Sequence, residues 1–331
     1  MSQLYLHSIL LRVSDQRIMY SIFHKSSKQL FLTQRPLVFN VSVNSLSSGG
    51  NPAQFCLESV RKTDHEHFLT NLLLPSNIKT DAFAIRAFSS EISGVRDSIS
   101  EKTLGLVRLQ FWRDTIEGLY DDKVPQHPVA VQLYRAIKQK KPSKQLFFNL
   151  ISSREQFLSD KPFHSLDDVD KYGEDAFSSI YLLLLELQDN KNGHIKHAAT
   201  QLGKCEGLIT LLRALPYNAS KRRCYLPTEL LTERGISAEK IMRCKGDNID
   251  EDISEIIEVI AARAEQHLEN CRFRKKYLSS EEKLLLLPAV SAEHYLTKLS
   301  KVKCNVWDKS LHVRNSWLPM SLYWNKFKRT Y

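Results

Sequence analysis

The chain has 331 residues, 42% hydrophobic and 25% charged, with 11 glycines and 11 prolines. That balance excludes a disordered chain, argues against a turn-rich all-β protein, and is enough for one large core or two modest ones. The net charge of +10 is concentrated toward one end, which points to an address more than to a broad anion-binding surface.

Residues 1–50 carry Arg12, Arg17, Lys25, Lys28 and Arg35 against the single acid Asp15, together with ten serines. An Arg- and Ser-rich, acid-poor leader with short apolar patches predicts a mitochondrial transit peptide, the alternative being a tail with no address. A secretory signal fits worse, because Arg12, Asp15 and Arg17 interrupt its apolar run. "SLSSGGNPAQ" then reads as a linker into a domain over 51–331. The cysteines Cys56, Cys205, Cys224, Cys244, Cys271 and Cys304 form no C-x-x-C or close pair, so they read as reduced thiols rather than a disulfide framework or a zinc site. No apolar run approaches the roughly eighteen residues needed to span a bilayer. A membrane would be met from its surface.

Residues 81–95 place Phe83, Ala87, Phe88, Ile92 and Val95 on one helical face, with Asp81 as the expected N-cap. Residues 101–120 repeat the pattern with Leu104, Val107, Phe111, Thr115 and Leu119 as the core face. After the break "DDKVPQHP", helices are predicted at 128–141, 144–159 and 167–188, the last apolar enough to be central. Residues 194–213 run Ala198, Leu202, Cys205, Ile209 and Leu212 along one side, and Gly203 and Gly207 permit close helix contact. Pro216 is expected to end or kink this helix at Leu215. Residues 251–277 give the longest run, through Ile257, Ile260, Ala264, Leu268 and Cys271. No strand pattern competes, so the fold class is all-α, a single-domain helical bundle.

The common catalytic signatures, G-x-G-x-x-G, the P-loop, G-x-S-x-G and H-E-x-x-H, do not occur in the sequence. "HEH" at 65–67 and "HIKH" at 194–197 read as solvated surface histidines, since neighbouring helical residues do not face each other and the second pair lacks nearby carboxylates. "SKRR" at 220–223 is the densest basic cluster beyond the leader. Without interleaved aromatics it is a poor nucleic-acid signal and reads as a solvated turn, or as a match to a diphosphate or an anionic head group.

"RALPYNASKRRCYLP" at 213–227 resembles the second signature of the squalene/phytoene synthase family, Asn-x-x-Arg-Asp-x-x-x-Asp followed by a basic turn and Arg-x-Tyr-Leu-Pro. Arg213, Arg223, Tyr225, Leu226 and Pro227 fall in register. "AFSSEISGVRDSIS", "LQFWRDTIEGLY" and "HPV" resemble the family's first aspartate helix, the tryptophan helix and the next boundary. The likeness covers residues 68 to 245 and implies the all-α isoprenoid-synthase fold. In active members, carboxylates at i and i+4 on two helices hold Mg²⁺ that bridges to the substrate diphosphate. Here the first pair falls on Ser93 and Asp97, with Gly94 at the usual second acid, and the second pair falls on Ala214 and Asn218, with Thr210 at the usual Asn. A lone carboxylate does not build facing Mg²⁺ clusters. The resemblance therefore implies a pseudoenzyme with no metal and no cofactor, keeping Asp97, Arg213, Arg222 and Arg223 as candidates for a vestigial diphosphate site.

Within the family, "FAIRAFSSEISGVRDSISEKTLGLVRLQFWRDTIE" and "GLITLLRALPY" resemble a catalytically altered mitochondrial branch. That implies a matrix protein, peripheral on the inner membrane, acting early in the assembly of respiratory complex I through its subunits or other assembly factors, with no nucleic-acid partner. The alternatives are a residual prenyl-diphosphate transferase and a prenyl- or lipid-binding protein. The C-terminal "WNKFKRTY" mixes aromatics with Lys326, Lys328 and Arg329, which suits an interfacial membrane contact as well as it suits a solvated helix end.

Overall fold

Gly203 and Gly207 set how the bundle is assembled. They lie on α9 (Gly193–Ser220) in a computed structural model that describes residues 51–99, 101–246 and 249–331. The transit-peptide expectation for 1–50 lies outside the described residues. A Cβ added at Gly203 would meet the Ser178 backbone nitrogen at 2.3 Å, and one at Gly207 would meet Gly173 Cα at 2.6 Å. Only glycine allows this approach between α9 and the run formed by α7 (Leu166–Gly173), a π-helical turn (Glu174–Ser178) and α8 (Ser179–Leu187). The Ser178 hydroxyl donates to the Thr200 carbonyl at 3.0 Å across the contact. The predicted central helix at 167–188 is thus present, with one π turn where it meets α9.

Around this pair stand α1 (Pro52–Thr63), α2 (His65–Leu72), α3 (Ser76–Ser93), α4 (Lys102–Tyr120), α5 (Pro128–Lys140) and α6 (Lys144–Glu155). After α9 come α10 (Thr228–Glu233), α11 (Ala238–Arg243), α12 (Glu251–Phe273), α13 (Ser280–Leu285), α14 (Pro288–Lys301) and α15 (Leu318–Phe327). Local chemistry sets several starts. Ser165 and Asp168 form a capping box before α7, Ser279 and Glu282 another before α13, and Asn192 accepts from the His194 N–H to open α9. Among the described residues there is no strand.

Three local expectations are corrected. Asp81 is not an N-cap, because α3 begins at Ser76 after Pro75 and carries Asp81 inside it. On α4, Leu104, Val107 and Phe111 are exposed, and the buried face is Gly105, Leu109, Trp112, Thr115, Ile116 and Leu119. Two apolar stripes overlap on this helix, and Gly105 selects the inner one: a Cβ there would lie 2.5 Å from Ile99 Cδ1 and 2.7 Å from Leu158 Cδ2. Trp112 then packs edge-on to Phe88 at 5.2 Å.

Pro216, finally, does not end α9, which runs on to Ser220. An interior proline costs about 3 kcal/mol. Leu208, Leu211, Leu212 and Leu215 are all buried around it, and burial of each leucine stabilises by about 2 kcal/mol. Packing outweighs propensity, so Ala214 and Asn218 stay on a continuous helix.

Candidate functional site

Two helix ends meet at a cleft of about 140 Å³. α3 stops at Ser93, Gly94 caps it, and Asp97 follows in a 3₁₀ turn, Arg96–Ser98. α9 brings Thr210, Ala214 and Asn218 to the opposite wall. Its end is a Schellman motif: Arg222 takes a left-handed conformation (φ 61°), its N–H donates to the Ala219 carbonyl at 3.0 Å, and the Arg223 N–H donates to the Asn218 carbonyl at 2.9 Å. That closure turns Arg223 into the cleft and Arg222 away from it.

Inside, two arginines are paired with two carboxylates, and a third, Arg154, donates to the Tyr172 hydroxyl at 2.7 Å. Arg223 Nη1 donates to Asp97 Oδ1 at 3.0 Å, and its Nε lies 3.4 Å from Asp160 Oδ1. Arg96 grips Asp160 with two guanidinium nitrogens, Nε at 2.9 Å from Oδ1. The Tyr225 hydroxyl donates to the same Oδ1 at 2.5 Å. Burial pushes the Asp160 carboxyl up, but the hydrogen bonds from Arg96 and Tyr225 and the charges of Arg96 and Arg223 outweigh it and hold it below the usual range. Burial, then the bond to Asp160, pushes the Tyr225 phenol up. Below this layer Phe157 packs edge-on to Tyr225 at 4.9 Å and to Tyr172 at 5.1 Å.

Magnesium does not fit this donor set. The two carboxylates at the cleft, Asp97 and Asp160, already accept from arginines, and the helical positions facing them hold Ser93, Ala214 and Asn218. Among the described residues no group of three or more His, Cys, Asp or Glu side chains is arranged to hold a metal ion. The volume is also under half of the roughly 300 Å³ at which small-molecule pockets begin.

Of the four sequence candidates, Asp97 and Arg223 come together. Arg213 belongs to a second, smaller cleft of about 50 Å³, where it bonds Glu66 Oε2 at 3.0 Å and its guanidinium lies 4.5 Å from the Tyr295 ring centroid. Arg222 is exposed and pairs with Glu239 at 3.0 Å. Asp160 and Arg96 were not among the candidates. Asp160 follows the 3₁₀ turn Gln156–Ser159 in a left-handed conformation (φ 48°), and an Asp at a helix end carries no signal of what it will face.

The surface reading of "HEH" is corrected at His67. Its Nδ1 lies 2.9 Å from Asp64 Oδ1 and its Nε2 2.9 Å from Glu206 Oε1, so both ring nitrogens face carboxylates. The Tyr181 hydroxyl donates to Glu206 Oε1 at 2.7 Å, and the buried Arg86 guanidinium lies 5.3 Å from the Tyr181 ring centroid. Burial and the Arg86 charge push the imidazolium toward neutrality, but Asp64 and Glu206 prevail and its pKa is raised to about 9. Glu206 is pushed up by burial and pulled further down by His67 and Arg86, ending below the usual carboxylate range. In "HIKH", His197 is exposed as expected and His194 stacks on Tyr277 at 4.4 Å.

An all-helical bundle in which the C-terminal ends of two helices face one cleft, above a basic turn and Tyr-Leu-Pro, defines a protein of the isoprenoid-synthase fold. The squalene/phytoene synthase family profile matches residues 60–318, and the chain belongs to that family. It is 36% identical over 296 residues, 88% of each chain, to human "NADH dehydrogenase (ubiquinone) complex I, assembly factor 6". It is 32% identical to the Drosophila melanogaster homologue of that factor over 83% of each chain. Among solved structures, a dehydrosqualene synthase superposes with a TM-score of 0.72 at 18% identity, covering 84% of this chain and 95% of that one. At that identity the superposition speaks for the fold alone.

Proposed function

We propose that the protein is a non-catalytic factor for building mitochondrial respiratory complex I, acting early in assembly through contacts with complex I subunits or other assembly factors. In this reading residues 1–50 are a transit peptide, 51–331 the working domain, and the site of action the matrix face of the inner membrane. The observation that carries the assembly role is the 36% identity, across 88% of both chains, to a relative named for it. No helix among the described residues is long and apolar enough to cross a membrane, which is compatible with a peripheral position.

The absence of catalysis is supported by the Asp97–Arg223 pair. Diphosphate ionisation needs cations that appear where charge develops, and here Asp97 and Asp160 are taken up by Arg223 and Arg96. Asp97 and Arg223 are, in this reading, a diphosphate site kept as architecture. The test is removal of the protein followed by native-gel separation of mitochondrial complexes: complex I should be lost while isoprenoid levels hold. Normal complex I with altered isoprenoids would overturn the proposal. The second reading, a residual prenyl-diphosphate transferase, is tested with farnesyl diphosphate and Mg²⁺. Diphosphate release that Asp97→Ala abolishes would establish it.

A further inference from the structure

The outward face of α15 has no role in the bundle. On its inner side Leu318 and Leu322 are buried in a satellite cluster with Leu287 and Val290, against Leu69, Leu73 and Leu284. Beyond the helix Tyr331 is buried, and its hydroxyl donates to the Cys271 carbonyl at 3.1 Å. The helix is therefore held on both sides of its path and is not free to fold its apolar face inward.

That outer face carries Trp317, Met320, Tyr323, Trp324 and Phe327, which are 76%, 51%, 56%, 54% and 71% exposed. At 3.6 residues per turn they fill an arc of about 120° opposite Leu318 and Leu322. Lys326 and Lys328 fall on either edge of the arc by the same geometry, Lys326 donating to the Leu73 carbonyl at 3.0 Å and Lys328 lying 4.8 Å from the Trp324 ring centroid. From Lys309 to Tyr331 the sequence has Lys309, Arg314, Lys326, Lys328 and Arg329 and no Asp or Glu.

We propose that this face of α15 seats the protein on an anionic phospholipid surface. Trp317, Trp324 and Phe327 enter the head-group region, and Arg314, Lys328 and Arg329 meet the phosphates. Two features favour lipid over a protein partner. Protein interfaces are depleted in lysine, whereas the charged residues from Lys309 to Tyr331 are all cations, three of them lysines. Tryptophan with flanking lysine is also the composition that rests at a bilayer boundary, ring in the interface and ammonium in water. The proposal deepens the peripheral-membrane part of the reading above and rests on it.

The test is flotation of the full chain with vesicles of phosphatidylcholine alone and of equal parts phosphatidylcholine and phosphatidylglycerol. Binding is expected to the anionic vesicles, weakened by salt, and low to neutral ones. Trp317→Ser/Trp324→Ser/Phe327→Ser, with melting unchanged, should lower partitioning more than tenfold. Lys328→Gln/Arg329→Gln leaves the apolar arc intact and should lower it about twenty-five-fold, from about fivefold per cation near an anionic surface. Failure of the unaltered chain to float, or undiminished flotation by both variants, overturns the proposal. So does a dimer in light scattering that the triple variant dissociates without any vesicle binding, since the face would then be a contact between copies. No complex I enters these measurements, so failed flotation beside a complex I defect on removal would discard this docking face and leave the assembly role standing.

Discussion

His67 and Glu206, 139 residues apart in the chain, are joined at 2.9 Å inside the bundle, with Asp64 at 2.9 Å on the other ring nitrogen. The pair ties α2 to α9 with the imidazole held as a cation between two carboxylates.

This arrangement makes stability fall on the alkaline side. The folded pKa of about 9 lies above the unfolded value of about 6.5, so between them the native state holds a proton that the unfolded chain has lost. The stabilisation is complete below about pH 6.5 and disappears as pH rises through about 9, amounting to roughly 3 kcal/mol. The Glu206 carboxyl, held below its ordinary range, works in the opposite direction and loses its contribution as pH falls through its folded value. Urea midpoints measured across pH should decline on the alkaline limb, and His67→Gln should flatten that limb. An unchanged slope would mean that His67 is neutral in the native state.

Gly203 should tolerate no side chain. The Gly203→Ala Cβ would sit 2.2 Å from Ser178 Oγ and 2.3 Å from its backbone nitrogen, and overpacking of that kind costs about 1–3 kcal/mol. Gly193 opens the same helix with nothing within 4 Å, so Gly193→Ala should be neutral or stabilise by up to about 1 kcal/mol through helix propensity. Chemical denaturation of the two variants gives a direct comparison.

The cleft pair should matter structurally and unequally. Arg223→Ala leaves Asp97 without its arginine and removes one of the two guanidinium groups beside Asp160, which should cost about 2 kcal/mol. Asp97, half-exposed, should cost less than about 1 kcal/mol when replaced by Ala. Equal losses would contradict the geometry.

Pro216→Ala should raise the melting temperature. The alanine N–H can restore the bond to the Leu212 carbonyl within a helix that already continues to Ser220, for a gain of about 1 kcal/mol. Destabilisation would show that the pyrrolidine ring itself is needed for packing.

Much of the fold was legible because its helices repeat apolar residues at helical spacing, and because Gly203 and Gly207 mark a close crossing. The readings that failed depended on partners far along the chain. The α4 stripe Leu104, Val107 and Phe111 was as periodic as the buried one, and only Ile99 and Leu158 against Gly105 decide between them. His67 looked like a surface residue because the sequence around it shows neither Glu206 nor Tyr181. At the cleft, register alone brought Asp97 and Arg223 to one place. Asp160, which bonds Arg96 and Tyr225, carries no motif that could have announced it.

Asp160 also bears on what the cleft can admit. An arginine cluster that waits in solvent is a receptor, but one already bound to tethered carboxylates has a resident competitor. Covalent attachment gives that competitor an effective concentration of millimolar or more, so a diphosphate present at micromolar levels starts from a thousandfold disadvantage. For Arg96 and Arg223 the cleft works as a lock with its key fused in place, since an incoming anion must displace a carboxylate that cannot diffuse away.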